Sequence, residues 1–263
     1  MRCTLLTVTV IVGILVSCYG ADCGGCFCAP GNGTCPDWVP KSDYTASEIE
    51  AFTAKRMINP AYTLDCNPYH GSNCNTSPEL EVDTEGAVCA FKYSNSSTCD
   101  EYTMKTYSSE TKATEDGAYV THTHACGLCS TAQDLAVYLK IPDMTKAGKK
   151  CAEEALISEE WGLSCYKDLG YSDACATIWN YDGMYDSEKC KWTCIKNLFA
   201  DNNGPPPECA LNPCLQCDED EAGPIFQQFA RRTRRRSGIT SAIIRGCDEF
   251  AQITHVPCPP QDC

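Results

Sequence analysis

The spacing of apolar positions divides the chain in two. From about residue 21 to 120 they fall in short clusters separated by Gly, Pro, Asn and Ser; from about 130 to 246 they recur every three or four residues, the helical period. In the first part, residues 47–57 predict one short helix, with Ser47 as N-cap, Glu48, Ile49 and Glu50 in the first turn, then Phe52 and Ala54. Residues 86–93 and 118–122 read as short strands in an otherwise turn-rich segment. In the second part, Ser130-Thr131-Ala132-Gln133 has the form of a capping box with Ser130 at the N-cap, opening a helix through Leu135 and Leu139 that stops before Pro142. Residues 144–157 place Ala147, Cys151 and Ala155 on one face, and Ser172 caps a third helix carrying Cys175, Ile178 and Trp179. Cys190, Cys194 and Leu198 repeat every four residues, which predicts two bridges pointing into the core. After the Asn- and Pro-rich break at 202–207, Pro224 opens a helix with Ile225, Phe226 and Phe229 on its buried face. Gly238 is expected to end it, and Ile239, Ile243 and Ile244 to begin a last buried piece. The predicted fold is α+β and disulfide-rich: a Cys-rich loop and short-strand region over 21–120, then a disulfide-stapled helical region over 121–263.

Cysteine usage changes the picture from packing to cross-linking. Residues 1–20 have the form of a signal peptide: Arg2, an apolar run of 12 residues over 5–16, and small residues before Ala21. That run is shorter than the ~20 residues a membrane-spanning helix needs. No later segment is apolar enough to span a bilayer, and the C-terminal residues have the form of neither an anchor tail nor a retention signal. The expected mature chain is released from the cell and carries 21 of the 23 cysteines, a density that fits an oxidising compartment. An odd count leaves one thiol free, metal-bound or joined to another chain, so a disulfide-linked dimer is one expected outcome. Asn32, Asn75 and Asn95 stand in glycosylation sequons. A net charge of −14 excludes nucleic acid as the main partner, because phosphate backbones call for a positive surface. It leaves an extracellular protein, a mineral or a small anionic ligand as expected partners.

The chemistry-bearing residues fall into three groups. The first is the stretch from His122 to Ser130, where a strand runs into Cys126-Gly127-Leu128-Cys129 and a capped helix. Thiolates at a helix N-terminus are stabilised by its N–H groups and dipole, so Cys126 and Cys129 are candidate redox or nucleophilic thiols, with His124 or His122 as base. His122, His124, Cys126 and Cys129 also make a four-ligand set suited to zinc or copper. The third reading, and the leading one, makes both cysteines structural bridges. The second group is Arg231, Arg232, Arg234, Arg235 and Arg236, five of the 21 Lys and Arg residues within six positions. Their guanidinium forks can bind an anion, and Arg232-Thr233-Arg234-Arg235 has the form cut by secretory processing proteases. The leading reading is a helix face paired with acids such as Asp218 to Glu221. The third group is acidic: Asp218 to Glu221, Glu79 to Glu85 on alternate positions, and Asp182 with Asp186 and Glu188. Each offers weak calcium binding, and none has the spacing and glycine of a calcium loop. There is no Gly-x-Ser-x-Gly elbow, phosphate-binding loop or His-Glu-x-x-His helix.

Two stretches carry a likeness: Cys126-Gly127-Leu128-Cys129-Ser130 with Gln133 to Tyr138, and Gly223-Pro224-Ile225-Phe226 running into Arg234-Arg235-Arg236-Ser237-Gly238-Ile239. Together they resemble an uncharacterised family of secreted Cys-rich eukaryotic proteins. The resemblance covers the C-terminal half and implies no activity. In composition the chain is also similar in kind to acidic proteins of invertebrate mineralised matrices. The expected function is a non-enzymatic extracellular matrix component or binding module. The rival is a secreted thiol or metal-dependent enzyme using residues 122–129, with the Arg cluster holding an anionic substrate.

Overall fold

The predicted strands gain a central partner that the turn-rich composition hid. A computed structural model describes residues 37–71, 73–205 and 208–259; the expected signal segment, the Cys-rich opening and Asn32 lie outside the described residues. Helix α1 (Ala46–Thr53) is followed by the two-residue strands β1 (Arg56–Met57), β2 (Thr63–Leu64) and β3 (Thr76–Ser77). Then come β4 (Val88–Tyr93), β5 (Glu101–Tyr107), α2 (Glu110–Glu115) and β6 (Tyr119–Thr123). The four-stranded sheet has the order β1-β5-β4-β6, with β4 antiparallel to both long neighbours and β1 parallel to β5. Side chains alternate across it. Cys89, Phe91, Tyr102 and Met104 enter the main core, while Val88, Ala90 and Tyr107 face α2 on the other side.

The second part is helical: α3 (Ala132–Lys140), α4 (Met144–Ala155), α5 (Glu159–Asp168), α6 (Asp173–Lys189), α7 (Lys191–Lys196), α8 (Pro213–Glu221) and α9 (Gly223–Ala230). Phe52, Phe91 and Tyr102 share one core with Leu135, Tyr166, Ile178 and Phe226. The fold is thus α+β with helices concentrated in the C-terminal half, and among the described residues no helix is long and apolar enough to cross a membrane.

Seven bridges join described residues. Cys89–Cys126 and Cys129–Cys175 tie the sheet and the turn after β6 to α6, and Cys151–Cys165 links α4 to α5. Cys190–Cys217 and Cys194–Cys214 hold the end of α6 and α7 against α8. Cys66–Cys74 and Cys99–Cys258 complete the set, and Cys209 and Cys247 are bridged as well. Every described cysteine is therefore oxidised, and the odd thiol expected from the sequence lies outside the described residues.

The caps move by one or two residues from their expected places, for identifiable reasons. Thr45, not Ser47, starts α1, because it exchanges hydrogen bonds with Glu48 at N3. Thr131, not Ser130, starts α3, because the Ser130 hydroxyl is committed to His122 and the Gly127 N–H. Asp134 closes that capping box and also accepts from the Ser172 N–H and hydroxyl, so one fully buried carboxylate holds the starts of α3 and α6. Asp134→Ala strands those donors and is expected to cost about 2–3 kcal/mol, read as a lowered denaturant midpoint at unchanged slope. The stripe Cys190, Cys194, Leu198 turns its sulfurs toward α8, while Leu198 is left half-exposed.

The expected helix from Pro224 to Gly238 breaks at Ala230. Arg231 takes a left-handed backbone at φ +62°, a conformation costly for a side-chain-bearing residue. It turns the chain so that Arg232 points inward, and a short 3-10 turn over Arg235–Ser237 follows. Gly238, at φ +65°, is required there: a Cβ would sit 2.5 Å from the carbonyl oxygens of Ala251 and Ile253.

Candidate functional site

The segment from His122 to Ser130 is a structural joint. Cys126 and Cys129 are fully buried and bridged to Cys89 and Cys175, so neither is a thiolate able to attack, to cycle or to ligate a metal. His122 is also fully buried, with Nδ1 2.8 Å from the Thr123 carbonyl and Nε2 2.7 Å from Ser130 Oγ. A carbonyl only accepts, so Nδ1 carries the proton and Nε2 accepts from Ser130. Burial, then the Arg232 charge, holds this imidazole well below its ordinary range and keeps it neutral. His124 turns away, with Nδ1 2.8 Å from Asp83. The four expected zinc or copper ligands are not brought together as one set. Gly127 in the Cys-Gly-x-Cys turn serves packing: a Cβ there would lie 2.4 Å from Arg231 Cγ and 2.6 Å from the Phe229 carbonyl, while the Leu128 N–H bonds that same carbonyl.

The arginines are spent mostly on the chain itself. Arg232, completely buried, donates to the carbonyls of Cys129, Thr121 and Ser130 and to the hydroxyls of Thr121 and Ser237. Burial brings its pKa down to about 10, and it remains charged at neutral pH. Such burial also withdraws the Arg232-Thr233-Arg234-Arg235 sequence from a processing protease in the folded chain. Arg231 pairs with Asp83 at 2.7 Å. Asp83 is pushed up by burial, but the Ala125 N–H, His124 and Arg231 together hold it below the usual carboxylate range. Arg234 donates to the carbonyls of Tyr138, Thr240 and Ile141. Arg235 reaches Glu219 and Glu249, the acidic pairing expected from the sequence, and Arg236 reaches Gln227. His124, Arg235 and Arg236 do meet at one open concavity of about 500 Å³, where His124 Nδ1 pairs with Asp83, Arg235 with Glu219 and Glu249, and Arg236 with Gln227 and the Arg231 carbonyl.

A more enclosed site lies among the helices. A cavity of about 180 Å³ opens between α3, α6, α8, α9 and the segment 233–250. Trp179 and Phe226 form an aromatic wall, their ring centroids 4.5 Å apart. Asp182 and Asp218 line the opposite chemistry, and Arg234, Arg235 and Arg245 line it too, already paired with carbonyls, Glu219 and Glu249. The Tyr138 hydroxyl and the Trp179 indole N–H are buried beside the cavity and lie against one another, with no well-aligned partner elsewhere among the described residues.

At the edge of the cavity, Asp182, Asp186 and Asp218 bring one carboxylate oxygen each within 4.8 Å of one another. Asp182 and Asp186 are one turn apart on α6, in line with Cys190, and Asp218 follows Cys217 on α8; the Cys190–Cys217 bridge brings the two faces together. The Tyr69 hydroxyl donates to Asp182 at 2.7 Å. Burial first, and repulsion from the neighbouring carboxylates second, pushes both α6 carboxyls above the usual range, and burial does the same to Asp218. Asn75 and Asn95, the two sequon asparagines among the described residues, are both exposed.

Residues 159–253, which contain α5 to α9, the arginine cluster and most of the cavity, match a family described as a family of unknown function (DUF8771). No curated protein and no solved structure matches the chain.

Proposed function

We propose that the chain is a secreted, disulfide-stapled extracellular protein that binds a small ligand in the cavity between α6, α8 and α9 without turning it over. The observation that carries this reading is the cavity itself, whose lining joins the aromatic wall of Trp179 and Phe226 to the Tyr138 hydroxyl and the carboxylates of Asp182 and Asp218. Such a cavity, mostly apolar with a few convergent polar groups, is the usual form of a small-molecule site. The density of bridges supports an oxidising, extracellular setting. Exposed Asn75 and Asn95 are the proposed glycan sites, away from the cavity. The non-enzymatic part of the reading rests on the condition of the candidate nucleophiles: Cys126 and Cys129 are oxidised and buried, and both nitrogens of His122 are engaged.

The test is a thermal-shift screen of charged and neutral small metabolites on protein secreted from an oxidising host, paired with the variant Ala242→Trp. Ala242 lines the cavity and is itself exposed, so the indole closes the mouth without entering the core. The expected result is one or more saturable hits in the parent and none in the variant, at equal melting temperatures without ligand. Hits that survive in the variant, or conversion of a hit to product by the parent, would overturn the reading.

A further inference from the structure

Two groups of apolar side chains stand in water on separate elements, and the charges beside them are opposite. On α7 the sulfurs of Cys190 and Cys194 face α8. That leaves Trp192 and Ile195, with Leu198 and Phe199 just beyond the helix, turned outward. Trp192 is 72% exposed and Phe199 96%. At the roughly 150–250 Å² that an aromatic side chain can bury, these two alone leave about 300 Å² of apolar surface in water, the size of the largest patch on many monomers. The charged residues beside them are Lys189, Lys191 and Lys196, and residues 189–200 contain no acid. Where α4 meets α5, Ala155 is the last side chain that α4 buries, and Leu156, Ile157 and Trp161 are exposed. Their charged neighbours are Glu153, Glu154, Glu159 and Glu160, and residues 151–166 contain no Lys or Arg.

These charges are mostly unspent within the chain. Among the described residues only Lys189 and Glu154 of this set are ion-paired, with Glu188 and Lys150, and no pair joins the α7 lysines to the glutamates at the α4–α5 turn. Lys191 rests over the Trp192 ring at 5.8 Å. We propose that each patch is the docking surface for the other on a second copy of this chain, with Trp192, Ile195 and Phe199 laid against Leu156, Ile157 and Trp161. Pairing the unlike patches removes both apolar surfaces from water and sets lysines against glutamates; pairing like with like would oppose equal charges. The net charge of −14 resists approach, but beyond about 8 Å exposed charges are screened at physiological salt, so the groups at the contact decide. One such contact buries roughly 600 Å² of apolar surface, below the ~1,200 Å² of a stable complex, which makes the association weak and dependent on concentration. An anionic membrane would suit the α7 face alone, and the four glutamates would leave the second patch uncovered. This contact is separate from the proposed ligand cavity and needs no free thiol.

The experiment is sedimentation velocity at physiological salt on the full mature protein, secreted from an oxidising host and running as a monomer in a non-reducing denaturing gel. The weight-average mass is expected to rise with concentration, half-associated at about 10–500 µM, the weak end for a contact of this area. A mass that stops at two copies and one that climbs past two both support the proposal, and they tell a reciprocal pair from a head-to-tail chain. Lys191→Glu with Lys196→Glu, and separately Glu153→Lys with Glu160→Lys, should each weaken association at least about tenfold through like-charge contact. Mixing the two variants in equal amounts should restore it, because every patch then has an opposite partner. Trp192→Ser with Phe199→Ser should abolish it. All of these side chains are exposed, so melting temperatures should equal the parent's. A single monomeric mass up to about 1 mM, parent-like association by either charge variant, or a mixture that stays apart while the parent associates overturns the proposal. So does a protein that remains monomeric yet sediments with phosphatidylserine vesicles, which would give the α7 face to lipid.

Discussion

Replacing Arg232 with methionine should lower the stability of the protein by about 4 kcal/mol, as breaking a buried charged network does. Among the described residues the guanidinium alone reaches the Thr121, Cys129 and Ser130 carbonyls together, and it joins β6, the bridged turn and the start of α3. Methionine keeps most of the volume, so the loss comes from acceptors stranded in a fully buried site, at about 1–3 kcal/mol each before relaxation. At this chain length that corresponds to a fall in Tm of roughly 10 °C. Arg232→Lys should fall between, since an ammonium offers three donors where the fork offers five. Non-reducing thermal unfolding, with all bridges intact in each variant, checks the result. Equal melting temperatures for the parent and Arg232→Met would show that the five hydrogen bonds contribute nothing net, and the strained backbone turn at Arg231 would then lose its physical reason.

The same residue shows how far the sequence could be read. Five arginines in six positions of an acidic chain invite an anion, and nothing in their spacing says that the second is turned inward. That outcome depends on the left-handed turn at Arg231 and on carbonyls contributed from more than 100 residues earlier. The helical half was legible at α3, α4, α6 and α9, where apolar residues recur at helical spacing, and the start at Ser172 stands where its side chain says, while Pro224 falls one residue inside α9; α5 and α8 were missed. Strand β5 was less legible. Tyr102 and Met104 alternate with Thr103 and Lys105, but the burial of Tyr107 on the opposite face breaks a simple inside-outside pattern, and it follows from α2 covering the sheet's second side. The carboxylate cluster was legible only in pieces. Asp182 and Asp186 form an i, i+4 pair on one helix and Asp218 belongs to a separate acidic run. Only the pairing of Cys190 with Cys217 unites them, and connectivity is what a sequence with this many cysteines does not disclose. By contrast the bridging reading of Cys126 and Cys129 needed only the compartment and the abundance of potential partners.

The two deeply buried imidazoles give the protein an acid-sensitive limb. His255 is 3% exposed, packs its ring edge-on to Phe52 and donates from Nε2 to the Ser237 carbonyl at 2.8 Å. Burial, then the charge of Arg232, brings its pKa down to about 3 from the ordinary 6.5. The unfolded chain therefore takes up a proton below pH 6.5 that the folded chain refuses until about pH 3. The contribution is fully present above pH 6.5 and is lost as pH falls through that window, by on the order of 4 kcal/mol at its lower end. His122, held neutral between Thr123 and Ser130 by the same two causes, loses stability in the same direction. Denaturant midpoints measured from pH 7 to pH 4 should fall steeply, and His255→Asn, whose amide can still donate to the Ser237 carbonyl, should flatten the fall. Because Arg232 sits beside both rings, its charge sets part of each shift. Arg232→Met is thus expected to shallow the acid limb even as it lowers the whole curve, a combination that simple loss of packing would not produce. A midpoint that stays level between pH 7 and pH 4 would mean that both rings accept protons without leaving their sites, and the burial argument for them would fail.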